Sequence, residues 1–155
     1  MPQTFLLGMN AKVYQGAAAG DLQSLTEMGN VKDVTLTLEA GEADVTTRAN
    51  QGWRATAPTL RECTAEFEML WQPGDAGFEA IKTAFLTSAT LRLAVLTGAR
   101  SPDGIESVTG TEGPLGDFSI TNFSRNEPLE EGVTVSVTAK LALFDQWIVD
   151  GLEAA

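Results

Sequence analysis

The sequence predicts a mainly β, α+β domain of antiparallel strands with a single α-helix. Several segments alternate apolar and polar residues with period two, the mark of strands that bury one face and wet the other. One segment only, after Pro73-Gly74, places apolar residues at helical spacing. The chain has 155 residues, of which 43% are hydrophobic and 20% charged. That size and balance suit one globular domain over residues 1–155, with no linker, repeat or low-complexity tract.

The elements follow in order. Leu6 to Tyr14, broken by Gly8, reads as a first strand. Gly16 to Gly29 is small and polar and reads as a loop. Val34, Leu36 and Leu38 share one face of a strand, with Asp33, Thr35, Thr37 and Glu39 on the other. Val45 to Arg48 is a weaker strand candidate. Cys63, Ala65, Phe67, Met69 and Trp71 point one way, against Thr64, Glu66 and Glu68. Between these two strong strands, Gly41 to Leu60 spans roughly twenty residues, far beyond a hairpin turn. Asp75 is the expected N-cap of a helix whose stripe is Phe78, Ile81 and Phe85. Leu91 to Leu96 is apolar except for Arg92. Gly98 to Gly116 is rich in turn residues, and Phe118 and Ile120 then alternate with Ser119 and Thr121. Val133, Val135, Val137, Ala139 and Leu141 alternate with Thr134, Ser136, Thr138 and Lys140. Phe144 to Ile148 reads as a short helix or a docked tail, within a C-terminal tail of about 144–155.

Charge and missing residue types exclude much chemistry. Ten Lys and Arg stand against 21 Asp and Glu, a net charge of -11. Such a chain offers no basic face for phosphates and no attraction to an anionic membrane. It has no histidine, hence no Ser-His or Cys-His pair and no imidazole ligand. The single Cys63 rules out an internal disulfide and falls on an apolar face, so it reads as an inert core thiol. Neither a signal peptide nor a spanning apolar stretch is expected, which suggests a soluble chain made in a cytoplasm.

The remaining candidates are few. Glu39 to Asp44 clusters carboxylates, but without the ligand spacing of a calcium loop, and it reads as a solvated turn ending a strand. Glu66 and Glu68 share a strand face as an acid–base pair would, and also as any wetted strand surface does. Without a phosphate loop or nucleophile elbow, no enzyme and no cofactor is expected. In the long excursion, Arg48, Trp53 and Arg54 are of types enriched at protein interfaces. Trp53 reads either as an interface hot spot or as an anchor folded back on its own domain. Trp71 reads as core, and Trp147 and Ile148 as either a core cap or a contact with a neighbour.

Several stretches together resemble the major tail (tail tube) proteins of long-tailed bacteriophages. They are Asn30-Val31-Lys32-Asp33-Val34-Thr35-Leu36-Thr37-Leu38-Glu39 continuing to Arg48, Gly52-Trp53-Arg54-Ala55, Leu60-Arg61-Glu62 and Asp117-Phe118-Ser119-Ile120-Thr121-Asn122-Phe123-Ser124-Arg125. The order of strands, long loop and helix matches too, and the likeness runs from about Leu6 to Leu143.

The resemblance implies two packed antiparallel sheets, a sandwich or partial barrel, with a flanking helix. It implies hexameric rings stacked as a hollow tube, into whose inner barrel each subunit places four strands: Val31–Glu42, Arg61–Trp71, Leu115–Arg125 and Val133–Leu143. The lumen lining would then include Asp33, Glu39, Glu66, Glu68, Ser119, Thr121, Thr134, Ser136 and Thr138. A loop of about 43–60, with Asp44, Arg48, Trp53 and Arg54, would reach the next ring. Phe5, Trp147 and Ile148 would add terminal contacts. The implied partners are copies of the chain itself, tail terminator and tail tip or baseplate proteins. A tape-measure protein and DNA would pass through the lumen without specific binding, and no membrane is involved. The implied location is the virion tail, after assembly in the host cytoplasm. A gene-transfer particle, tailocin or other injection device would use the same tube, and a monomeric β-sandwich binding module is the alternative of a different class.

Overall fold

A computed structural model describes residues 7–153, in which seven strands and one helix follow along the chain. They are β1 (Lys12–Gly16), β2 (Thr26–Glu27), β3 (Val31–Asp44), β4 (Thr56–Leu70), α1 (Ala76–Thr87), β5 (Thr90–Leu96), β6 (Glu112–Asn126) and β7 (Thr134–Val149). All pairings are antiparallel, and the strands form one seven-stranded sheet in the order β2-β1-β5-β6-β7-β4-β3. The expected two sheets are the two halves of this one sheet. The cause is the length of β6 and β7, which pair along most of their course and serve both halves. The early residues of β6 pair with β5, whereas the early residues of β7 pair with β4. Register shifts near Gly116, Phe118 and Asn122 mark bulges that bend this central ribbon.

One apolar face of the sheet and the helix enclose the main core. Ala65, Phe67, Met69, Val135, Val137, Phe118, Leu93 and Val13 meet Phe78 and Ile81 there. The helix starts where Asp75 accepts a hydrogen bond from the Phe78 N–H at 3.1 Å, so the expected cap is present. Trp71 is half-buried at the rim of this core rather than inside it. Its ring meets Phe78 edge-on with centroids 4.8 Å apart, and the Arg125 guanidinium lies 5.0 Å from its centroid.

The half made of β1, β2 and β5 is covered on its second face as well. Tyr14, Leu22, Leu25, Ala94, Leu96, Leu115 and Ile148 form a second core there. Gly16 to Gly29 is therefore not a purely polar loop: it supplies Leu22 and Leu25, both buried. Arg100 ties the cover down, donating to the Leu22 carbonyl at 2.7 Å and to the Leu25 carbonyl, with its guanidinium 4.8 Å from the Tyr14 ring centroid.

Three further expectations shift. The first strand starts at Lys12, after a 3-10 turn at Gly8–Asn10. Strand β6 begins at Glu112, inside the glycine-rich stretch. A Cβ on Gly113 would lie 1.7 Å from the Val95 carbonyl oxygen, so only glycine admits that approach. Residues 144–148 are neither helix nor loose tail but the continuation of β7, paired with β6 as far as Glu112↔Val149.

Where the two halves meet lies a buried ion pair. Arg92 Nε donates to Asp117 Oδ1 at 3.0 Å, with the two residues 5% and 6% exposed. Arg92 Nη1 also donates to Asp145 Oδ2 at 2.8 Å and to the Gly20 carbonyl at 3.1 Å. Burial pushes the Asp117 carboxyl up, but the Arg92 hydrogen bond, the Ala19 N–H and the Arg92 charge outweigh burial and hold it below its ordinary value. Asp117→Ala leaves the guanidinium without its main buried partner and is expected to cost about 3 kcal/mol by urea denaturation. A carboxyl whose folded-state pKa is depressed contributes stability above its unfolded value and loses it as pH falls through the folded one. The gap between native and Asp117→Ala chains should therefore be full at neutral pH and shrink below about pH 4.

Candidate functional site

Two surfaces stand out: a wet strand face and a projecting arm. Opposed residues in an antiparallel register share a face, so the pairings assemble the first directly. Lys32 lies opposite Glu68, which lies opposite Ser136, which lies opposite Ser124. Thr35, Glu66, Thr138 and Asn122 form the next row. Thr37, Thr64, Lys140 and Ser119 form the third, and Glu39 opposite Glu62 the fourth. Hydroxyls and carboxylates thus cover one side of β6, β7, β4 and β3, while the other side of the same strands faces the main core.

The structure brings most of the expected lining residues together here. Glu39, Glu66 and Thr121 are exposed, and Glu68, Ser119, Ser136 and Thr138 half-buried. The Thr121 hydroxyl donates to the Thr138 carbonyl at 3.3 Å. Asp33 is exposed at a bulge in β3, where its φ is 52°. Thr134 departs from the expectation: at 6% exposure it is covered and lines nothing. Lys32, Glu62, Asn122 and Ser124 belong to the face and were not anticipated. The signal for them was the same alternation carried further along each strand, past the bulges that interrupt it.

The arm corrects another expectation. The stretch 43–60 is not one long loop, because β3 runs on to Asp44 and β4 starts at Thr56. The pairs Glu42↔Pro58, Ala43↔Ala57 and Asp44↔Thr56 continue the hairpin outward, and Val45 N–H donates to the Ala55 carbonyl at 2.9 Å. Beyond that, Val45 to Arg48 is not strand, and a 3-10 turn occupies Arg48–Asn50. The carboxylates of Glu39, Glu42 and Asp44 therefore lie along an extended strand rather than in a turn. Asp44 accepts from the Thr46 N–H at 2.9 Å, and its pKa is lowered by the Thr46 side chain and backbone.

Strand β4 pairs with β7 only as far as Thr64↔Lys140, so among the described residues the outer ribbon has no third strand beside it. At about 3.3 Å per residue, it projects roughly 25 Å past that last pair. Between the ribbon and the later half of β7 lies a groove of about 630 Å³ lined by Leu38, Leu60, Pro114, Leu141, Phe144 and Trp147.

The arm tip is ordered by its own backbone. Asn50 Nδ2 donates to the Trp53 carbonyl at 2.9 Å, and the Ala55 N–H donates to Thr46 Oγ1 at 2.9 Å. The Trp53 ring stays out, at 76% exposure, which removes the folded-back anchor reading. Arg48 and Arg54 are exposed beside it. The terminal candidates separate. Ile148 is buried in the second core, and the half-exposed Trp147 donates from Nε1 to Glu112 Oε1 at 2.9 Å. Phe5 lies outside the described residues. Cys63 is buried, and burial pushes its thiol up, so it is a poor nucleophile. Among the described residues there is no cluster of three or more potential metal ligands.

A family model described as phage tail tube protein matches residues 10–143. No curated protein matches the sequence. Among solved structures, the chain is similar to the tail of an empty gene transfer agent particle solved with C6 symmetry, at 16% identity and a TM-score of 0.68, covering 92% of this chain and 97% of that one. It is similar to the SPP1 tail tube at 14% identity and a TM-score of 0.69, over 94% of this chain and 81% of that one. It is also similar to a chain of the anti-feeding prophage baseplate, at 5% identity and a TM-score of 0.62, over 98% and 100%. At such identities the likeness is one of fold.

Because the Trp53 ring touches so little of its own domain, Trp53→Ala is expected to leave the stability of the isolated chain within about 0.5 kcal/mol. Thermal unfolding followed by circular dichroism checks this, and a loss of about 2 kcal/mol would restore the anchor reading.

Proposed function

The chain belongs to the phage tail tube protein family, a structural and non-enzymatic family, and on that footing we propose that six copies close into a ring and that rings stack into a hollow tail tube. The observation that carries this is the wet four-stranded face with its two open edges. Strand β3 is the last strand of the sheet, and among the described residues nothing pairs with its outer edge over fourteen residues. Among the described residues, strand β6 has no partner strand on its outer side beyond Ser119, where the β5 pairing ends. Bringing β3 of one copy beside the end of β6 in the next satisfies both edges and joins the four-stranded faces into a closed barrel. The number six rests on the C6 symmetry of the similar gene transfer agent tail.

In this ring the wet face lines the lumen. Its hydroxyls are neutral, and Glu39, Glu62, Glu66 and Glu68 outnumber Lys32 and Lys140. Such a wall repels phosphate and gives DNA no place to bind. DNA and a tape-measure protein pass through without specific contact. The arm, a ribbon with no core of its own, gains partners only by lying against another copy, and its role is to reach the adjacent ring. Tail terminator and tip or baseplate proteins meet the two ends of the tube. The setting is the tail of a virion assembled in the host cytoplasm. A gene-transfer particle or a related injection device is the second reading. It is supported by the similarity to gene transfer agent and anti-feeding prophage chains.

Electron microscopy of the purified chain at high concentration tests the proposal: rings or tubes are expected, and a persistent monomer would overturn it. Deleting Val45 to Thr56 should leave a folded domain that no longer forms tubes, and long tubes from that deletion would remove the arm's role. Tubes carrying Glu66→Lys and Glu68→Lys should retain labelled double-stranded DNA on sedimentation, where native tubes do not. Equal retention by both would place those residues away from the lumen.

A further inference from the structure

The two ends of the wet face carry opposite charge. The register puts the arm tip beyond the Asp44↔Thr56 pair at one end. It puts the turn between β6 and β7 beyond the row Leu70, Thr134 and Asn126 at the other. Residues 45–55 contain Arg48 and Arg54 and no acid, in a chain whose net charge is -11. Residues 127–133 contain Glu127, Glu130 and Glu131 and no base. Among the described residues, neither arginine of the tip is engaged by an ion pair, nor are Glu130 and Glu131, while Glu127 accepts from Arg125 at 2.9 Å. Each end also displays a large, mostly exposed apolar side chain, Trp53 at 76% exposure and Leu129 at 100%.

We propose that Arg48 and Arg54 of one copy seat on Glu127, Glu130 and Glu131 of a copy in the next ring, with Trp53 packed against Leu129. This rests on the tube reading and names the surface that the arm meets. Both patches are present on every copy and lie at opposite poles, so the contact is head-to-tail and repeats without closing, as a stack requires. The same charges set its direction. A ring approaching in the wrong sense brings tip to tip or turn to turn, where like charges repel. The acidic turn thus acts twice, attracting the correct end of a neighbour and rejecting its own kind.

The experiment is a charge exchange read by sedimentation and electron microscopy. Four chains are compared: native, Glu130→Lys with Glu131→Lys, Arg48→Glu with Arg54→Glu, and all four substitutions together. The native chain should form tubes above a measurable critical concentration at fixed ionic strength. Each double reversal should raise that concentration at least about tenfold, and the fourfold exchange should bring it back to within about threefold of native. If native tubes form and either double reversal polymerises as well as native, the pairing is overturned and the tube reading stands. Failure of the fourfold exchange to recover also overturns the pairing. If the native chain forms no rings or tubes under any condition, the tube reading falls and the pairing with it.

Discussion

An extended strand with an unpaired edge carries a row of backbone donors and acceptors that another strand can pair in register. The two edges of this sheet are unequal in that respect. At one end lies β2, two residues long, which leaves almost nothing to pair. At the other lies β3, fourteen residues long and largely exposed. A second opening occurs where β5 stops at its pairing of Thr90 with Ser119, and the rest of β6 has, among the described residues, only β7 beside it. Both long openings belong to the wet-faced half, and the proposed ring closes there rather than on the half covered on both sides. The tube proposal depends on this inequality more than on any side chain.

The sheet can be half covered and half bare because β6 and β7 pass through both conditions. Along β6, Leu115 lies in the second core, Asp117 in the buried ion pair and Ser119 on the wet face, all on one side of a single strand. Arg92 marks the boundary. Its bonds to Asp117, Asp145 and the Gly20 carbonyl tie β5, β6, β7 and the covering segment together at the point where cover ends. A buried pair of this sort contributes little net stability, because desolvation of the charges offsets their attraction. Its use here is positional, since any slip of β6 against β5 would strand a charge.

This organisation was partly legible in the residues. Period-two alternation identified the later half of β4, from Cys63, and the early part of β7 nearly residue by residue, because those stretches bury one face and wet the other without interruption. The same pattern located most of the wet face, since alternation and burial are there the same fact. It missed Lys32, Asn122 and Ser124, which lie across the bulges near Asp33 and Thr121, because one extra residue exchanges the faces. It failed for Thr134, whose polar character gave no sign of the cover above it. It failed again for the arm, where a ribbon wetted on both faces has no apolar period, so strand was taken for loop. The end of β7 read as helix or tail because apolar residues there serve two different surfaces, Ile148 the second core and Trp147 and Phe144 the groove. Sheet continuity was invisible for a different reason: which strands serve both halves depends on pairings between residues distant in sequence.

The charge excess has a structure that the total conceals. The pairs Lys12–Glu27 and Lys82–Glu79 are neutral and add nothing to the excess. What remains for assembly is sorted by location. The wet face is mildly acidic and hydroxyl-rich, the arm tip is basic, and the turn at the far pole is acidic. A uniformly acidic subunit would repel its copies from every direction and polymerise only against that repulsion. A subunit with one basic tip and one acidic pole keeps the general repulsion, which discourages random contact, and relieves it along a single axis. In the proposed tube, the negative balance that would let DNA pass without adhering leaves one attractive route between copies, and that route runs along the tube axis.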